Sequence, residues 1–345
     1  MRLARLAPVL ITLITLGTAA RAFESEAHVI YEAAPGSPVL RILSTTDIEI
    51  FEPMLRAFQE SNPGTTIDYT VASSTEMMNA LMSEGQAFDV ALSSAMDLQT
   101  KLANDGMARS HVSTATSRLP DWANWRDQVF AFTQEAATLV VSPAAFEGLA
   151  RPRNRQDLIT LLREHPERFR GRIGTYDIRS SGAGYLFATQ DARTSEIFWR
   201  LMEVMGGLGT HLYCCSAEMI SDVASGKLAF AYNALGSYAE PRQAAGEAIE
   251  IVMPEDFVTV MHRTALIPAS SRSPGLGGAF VDFLLEAAWS GDPPDYYPFA
   301  TVNPRASDET PSLRPIRIGP GLLVYLDDLK RASFSKAWLD AVVRE

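Results

Sequence analysis

From Leu40 onward, short apolar runs of strand length alternate with amphipathic helical periods, and few folds accept that alternation. "VLRILS" reads as a buried strand, "IEIFEPMLRAFQES" as a helix with Phe51, Leu55 and Phe58 on one face, and "TTIDYTVA" as a second strand. "STEMMNALMSEG" follows as a helix with Ser74 or Thr75 as N-cap, Glu76 in its first turn and Gly85 after its end. "FDVALS" is a third strand, and "SAMDLQTKLANDG" a helix stopping at Gly106. Strand, helix, strand, helix predicts a mostly parallel sheet wrapped by helices.

"VFAFTQEAATLVVSP" (129–143) is β-branched and extended, and reads as a strand pair that leaves this first unit. A second α/β unit follows, from helix "RQDLITLLREH" through strands "GRIGTYD", "THLYCC" and "KLAFAYN" to helix "SYAEPRQAAG". "AIEIVMP" and "TVMHRTALIP" read as the way back, and "PGLGGAFVDFLLEAA" as a helix of the first unit. The expectation is therefore an α/β protein of two lobes, each a mixed sheet flanked by helices. Residues 39–134 and 258–345 form lobe 1, and 135–257 form lobe 2, inserted into it. Two crossings between lobes permit hinge closure over a cleft. Residues 289–313, with five prolines, read as a long surface loop, and the tail as a docked amphipathic helix.

Residues 1–22 carry Arg2 and Arg5, an apolar run from Leu6 to Leu16, and the small-residue site Ala20-Arg21-Ala22, which predicts a signal peptide cleaved before Phe23 and export to a periplasm. Cleavage removes three arginines and moves the net charge from −11 to −14, which argues against a nucleic-acid partner. With 345 residues and two cysteines, stability must come from ordinary cores rather than a disulfide framework, and a monomer is expected.

Ligands of open α/β sheets bind beyond the carboxyl ends of the strands, where loops lead into helices. The loops so placed are 44–47, 93–97, 176–185, 213–218 and 232–238. They share small hydroxyls, glycines and free N–H donors, which suit an anion, and Arg179 adds a fork for a carboxylate or phosphate. The expected ligand-binding residues are Ser44, Thr45, Thr46, Ser93 and Ser94 from one lobe and Tyr176, Arg179, Ser180, Ser181, Cys214, Cys215, Ser216 and Asn233 from the other. Any one serine or threonine here more often just caps a helix; the convergence of five loops favours binding. The sequence has no G-x-S-x-G elbow, H-E-x-x-H or Walker A pattern, and its five histidines lack metal-ligand spacing, so no catalytic role, cofactor or metal is expected.

The only cysteines, Cys214 and Cys215, are neighbours. Adjacent Cα atoms lie about 3.8 Å apart, below the usual disulfide span of about 4.4–6.8 Å, so the ordinary expectation is two reduced thiols. An oxidising compartment and a place at the end of a strand facing the cleft favour a vicinal disulfide. A soft-metal dithiol site is the third reading, with no third ligand evident.

"LRILSTTD", "FDVALSSAMDLQTKLANDG", "GRIGTYDIRSSGAGYLFA", "VASGKLAFAYN" and "GSYA" resemble the periplasmic solute-binding proteins of ABC transporters, in the extracellular group that includes ferric-iron binders. The resemblance runs from about Leu40 to the C-terminus. It implies the two-lobed type II periplasmic-binding-protein fold, a small-molecule ligand in the cleft, and delivery to an inner-membrane ABC permease. The ferric binders of this group carry a consecutive tyrosine pair after the last second-lobe strand, where this chain separates Tyr232 from Tyr238 by "NALGS" and its adjacent Tyr296 and Tyr297 lie in the proline-rich loop. A small anion is therefore the expected ligand, with ferric iron as the alternative. Presentation of the bound form to a membrane sensor histidine kinase is the alternative role, and a secreted hydrolase the third.

Overall fold

The computed structural model describes residues 23–343, so the signal peptide expected at 1–22 lies outside the described residues. β1 (Ala27–Tyr31), β2 (Val39–Ser44), α1 (Ile48–Ser61), β3 (Thr66–Val71), α2 (Ser74–Met78), β4 (Val90–Ser93) and α3 (Met96–Asn104) begin the first lobe, and β5 (Ala108–Arg109), β6 (Asn124–Trp125) and β7 (Val129–Ala131) extend it. The chain then runs through β8 (Glu135–Val141), α4 (Arg155–Glu164), α5 (Pro166–Phe169), β9 (Ile173–Tyr176), α6 (Gly182–Thr194), α7 (Ile197–Gly207), β10 (His211–Tyr213), α8 (Ser216–Ala224), β11 (Phe230–Leu235), α9 (Gly236–Ala244), β12 (Glu250–Val252) and β13 (Val258–Met261). β14 (Thr264–Pro268) and α10 (Pro274–Ala288) rejoin the first lobe, and α11 (Ala306–Glu309), β15 (Leu313–Pro315) and α12 (Asp328–Val342) end the chain.

Among the described residues the strands form two mixed sheets. The first has the order β1-β3-β2-β4-β14-β7-β6 with β5 on β14, and the second β10-β9-β11-β8-β13-β15 with β12 on β8. β2, β3 and β4 are parallel, as their helical crossovers require, and β14 lies antiparallel to β4. Each sheet buries its own core. In the first lobe, α1 turns Phe51, Met54, Leu55 and Phe58 inward at helical spacing, to meet Phe280 and Leu284 of α10 over Ile42 and Ile67. Each such side chain contributes roughly 1.5–3 kcal/mol by leaving water.

The lobes are joined at residues 132–134 and 262–263, and these two crossings are bonded to each other. Phe132 N–H donates to the Arg263 carbonyl at 2.9 Å, and Arg263 N–H to Thr133 Oγ1 at 2.8 Å. Here the structure differs from the sequence division. "TVMHRTALIP" is not one strand: it breaks at His262-Arg263, so that 258–261 still pairs in the second sheet and only 264–268 in the first. β15 pairs with β13 in the second sheet as well, and α12 lies on α7 rather than on the first lobe, burying Phe334 and Trp338 among Phe198, Leu201 and Met205. Gly206 makes that docking possible, because a Cβ there would overlap the Ala341 carbonyl. Residues 289–313 are largely irregular but not merely superficial, since Tyr297, Phe299 and Val302 are buried in the first-lobe core.

Candidate ligand-binding cleft

A cleft of about 650 Å³, open to solvent, lies between the lobes. Its wall is Glu26, Thr45, Asp47, Ala72, Ser73, Ser74, Ser94 and Arg263 from the first lobe, and Tyr176, Ser180, Ser181, Ala183, Cys214, Cys215, Ser216, Leu235 and Tyr238 from the second. Six helices start on it. Five of their N-cap residues, Asp47 (α1), Ser73 (α2), Ser181 (α6), Cys215 (α8) and Leu235 (α9), are wall residues, and Ser94 precedes the sixth, Ala95 of α3. Ser73 and Ser181 accept from their own helices at Glu76 N and Gly184 N, whereas the N-cap residues of α1, α3, α8 and α9 contribute no such oxygen bond. Each helix start brings the positive end of its dipole to the wall, although in α3 the Leu98 N–H already meets the Asp97 carboxyl and in α8 the Glu218 N–H meets the Cys215 sulfur.

The hydroxyls are held by short-range bonds. Ser94 N–H donates to Thr45 Oγ1 at 3.1 Å, Tyr176 Oη and Ser216 Oγ lie 2.5 Å apart, and Leu235 N–H donates to Ser216 Oγ at 3.0 Å. Burial pushes the phenols of Tyr176 and Tyr238 up, although a bond from Ser216 and the charge of Arg263 respectively pull the other way. Both stay protonated at neutral pH and can donate. Arg263 is buried where the crossings meet, with Nε 2.8 Å from Glu135 Oε1 and Nη1 donating to Thr46 Oγ1 at 2.8 Å. Burial is the largest single influence and opposes its charge, but Glu135, Tyr238 and Tyr69 together outweigh it and keep the guanidinium protonated. Ser237 of the second lobe also donates to Glu135, so this ion pair ties both lobes to the crossing. Burial, then Asp47, raises Glu26 above the usual carboxylate range.

The expected binding residues fall into three places. Thr45, Ser94, Tyr176, Ser180, Ser181, Cys214, Cys215 and Ser216 are on the cleft wall. Ser44, Thr46 and Ser93 lie buried behind it, where Ser44 Oγ accepts from Thr46 N and Ser93 Oγ from Ala95 N. Arg179 and Asn233 are off the wall. Arg179 is exposed and folds back onto Asp177 at 2.6 Å, and Asn233 is buried, donating to Asp191 Oδ2 at 2.9 Å. Tyr232 is likewise a core residue, donating to Asp191 Oδ2 at 2.7 Å and accepting from Arg155 Nε at 2.7 Å. Because the Arg179 fork is already taken, Arg179→Ala is expected to change solute affinity less than about threefold, read by calorimetry; a tenfold loss would put Arg179 back in the site.

Sequence reasoning missed Glu26, Asp47, Ser73, Ser74, Tyr238 and Arg263. Asp47 and Tyr238 stand inside loops already singled out, and Ser73 and Ser74 are the visible start of a helix. Glu26 and Arg263 gave no local signal, because they arrive by an edge strand and by a crossing.

The Cys214 and Cys215 sulfurs are free thiols 2.8 Å apart, not a disulfide. Burial and then Cys214 push the Cys215 thiol up to about 12.

Two α/β lobes, a double crossing and a polar cleft between them define the class of two-lobed solute-binding proteins. Residues 44–290 match the model of the bacterial extracellular solute-binding protein family, and the chain belongs to that family. The substrate-binding protein of an ABC transporter from Agrobacterium tumefaciens is 32% identical with a TM-score of 0.85, over 92% of this chain and 98% of that one. At 16% identity the fold is shared with AfuA from Actinobacillus pleuropneumoniae, solved with fructose-6-phosphate (TM-score 0.71, 89% and 99% covered). It is shared too with iron-bound HitA from Pseudomonas aeruginosa (16%, TM-score 0.65, 88% and 99% covered). No curated protein matches the sequence. The protein is thus a solute-binding component of an ABC transporter, with a small-molecule ligand and a permease as partner. Among the described residues no helix is long and apolar enough to cross a membrane.

Proposed function

We propose that the protein is a periplasmic receptor for a small organic anion, which it encloses between its lobes and delivers to the permease. The anionic group is a phosphate, phosphonate or carboxylate. It is held by Thr45 and Ser94 from the first lobe and Tyr176, Ser180, Ser181 and Ser216 from the second, with Ser44, Thr46 and Ser93 fixing the loops behind them. The observation that carries this reading is the start of six helices on one cleft wall, four of them without an oxygen bond from the N-cap side chain. Glu26 and Asp47 on the first-lobe wall suit an amino or hydroxyl group elsewhere on the same solute. Ferric iron is the weaker reading, because the Tyr232 hydroxyl is committed to Asp191 and Arg155 in the core.

Native mass spectrometry of protein taken from the periplasm, without refolding, weighs what it carries. The expected adduct is an organic acid or phosphate ester, and the same compound at a hundredfold excess over its Kd is expected to stabilise the fold by about 2.7 kcal/mol. An iron-only adduct, or melting shifts with neutral sugars and with none of the anions, would overturn the assignment.

A further inference from the structure

We infer that Cys214, Cys215 and Glu218 form a binding site for a thiophilic divalent cation of the zinc and cadmium type on the second-lobe wall of the cleft. The two sulfurs and a Glu218 carboxylate oxygen all lie within 4.8 Å of one another. Their convergence follows from the local fold. β10 ends at Tyr213, the chain turns through Cys214, and Cys215 becomes the N-cap of α8, so Glu218 stands at the third helical position, on the face over the cap. The third ligand that the sequence did not reveal is thus supplied by one helical turn.

The same spacing is a capping-box spacing, so Glu218 has an ordinary explanation in a helix start. Three observations go beyond that explanation. The Cys215 sulfur lies 2.8 Å from the Cys214 sulfur and meets the Glu218 N–H, so the two sulfurs and the base of the Glu218 side chain already share one spot. Among the described residues no basic side chain pairs with Glu218, while the neighbouring Asp222 is neutralised by Lys227 at 2.5 Å. All three side chains are exposed, and both sulfurs are on the wall of the ligand cleft rather than packed as small apolar groups.

Thiolates select zinc and cadmium over magnesium and calcium, and a tetrahedral ion at about 2.3 Å from each sulfur holds them roughly 3.7 Å apart. From 2.8 Å that is a separation of about an ångström, within reach of side-chain rotation at exposed positions. As the ion binds, each thiol forms one sulfur–metal bond and releases its proton to solvent. The divalent ion and two thiols give a neutral dithiolate complex and two protons, with nothing oxidised or reduced. Glu218 fills the third position. The fourth faces the cleft and is open to water or to a donor atom of a solute.

The test uses the mature, full-length protein reduced with a phosphine and titrated with cadmium alone, so its outcome does not depend on the anion reading. The expected result is a near-ultraviolet sulfur-to-cadmium absorption band that saturates at one ion per chain. Glu218→Gln is expected to weaken binding at least tenfold, and the double variant Cys214→Ser, Cys215→Ser to abolish the band while melting like the parent without metal. No band in the reduced parent, or a band that survives in the double variant, overturns the site. So does periplasmic protein in which neither thiol alkylates until reductant is added, since that pair is already joined.

Discussion

Gly182→Val is expected to hold the two lobes apart, enlarging the radius of gyration and weakening solute affinity ten- to a hundredfold with little change in folding stability. Gly182 opens α6 in the second lobe and sits against the first. Its N–H donates to Ser74 Oγ at 2.9 Å, and beside it Thr75 Oγ1 donates to the Ser180 carbonyl at 3.3 Å. A Cβ at this position would overlap Ser74 Oγ and lie 3.0 Å from the Ala95 Cβ. Its φ is not positive, so a side chain brings no backbone strain of its own. Valine, with two further methyls, overfills the contact, and overfilling a packed contact costs typically about 1–3 kcal/mol. The expected relief is a separation of the lobes about the crossings at 132–134 and 262–263, which would place that cost on the closed arrangement. A solute that touches both walls binds the closed state, and its apparent affinity falls with that state's population. Small-angle scattering and calorimetry read the two effects. An unchanged radius with unchanged affinity would show that the Ser74–Gly182 contact plays no part in closure.

The parts of this site that could be read in the sequence are those made by local rules. A parallel strand must hand over to a helix at its carboxyl end, so the loops after β2, β4, β9 and β10 could be named from periodicity, and the small hydroxyls within them reach the wall. What the loop pattern did not decide was which way a side chain in the loop would turn. Arg179 follows Asp177 by two residues and pairs with it at 2.6 Å, a local partner written in "YDIRSS" but outweighed in the reading by the expected anion. Asn233 has φ +62° at a register shift between Tyr232 and Ala234, and that bulge points it to buried Asp191. The membership of β13, β15 and α12 in the second lobe was not legible either. Strand pairing and helix docking over such separations depend on three-dimensional complementarity, such as the absent side chain of Gly206 under the end of α12, that no local pattern carries.

A second large effect is expected at Asp97, where Asn should stabilise the protein by roughly 2–4 kcal/mol at pH 8 and by almost nothing at pH 4. Asp97 lies in the first turn of α3 with 3% of its surface exposed, and its Oδ1 has no partner among the described residues. Burial raises its carboxyl from 3.8 to about 7, against the lowering pull of the Leu98 N–H and of Arg331. Below about pH 4 the folded and unfolded chains both hold the proton, and the group does not bear on stability. Between about 4 and 7 the unfolded chain releases its proton while the folded chain keeps it, so the unfolded state gains and stability falls as pH rises. Above about 7 both are ionised and the loss stays constant, at a ceiling of roughly 4 kcal/mol for a shift of about three units. Asparagine keeps the shape and the acceptor for the Leu98 N–H but has no proton to lose. Urea unfolding of the parent and the variant at pH 4, 6 and 8 should therefore give curves that coincide at the acid end and diverge upward. Parallel curves, offset equally at all three values, would mean that Asp97 ionises in the folded protein as it does in water.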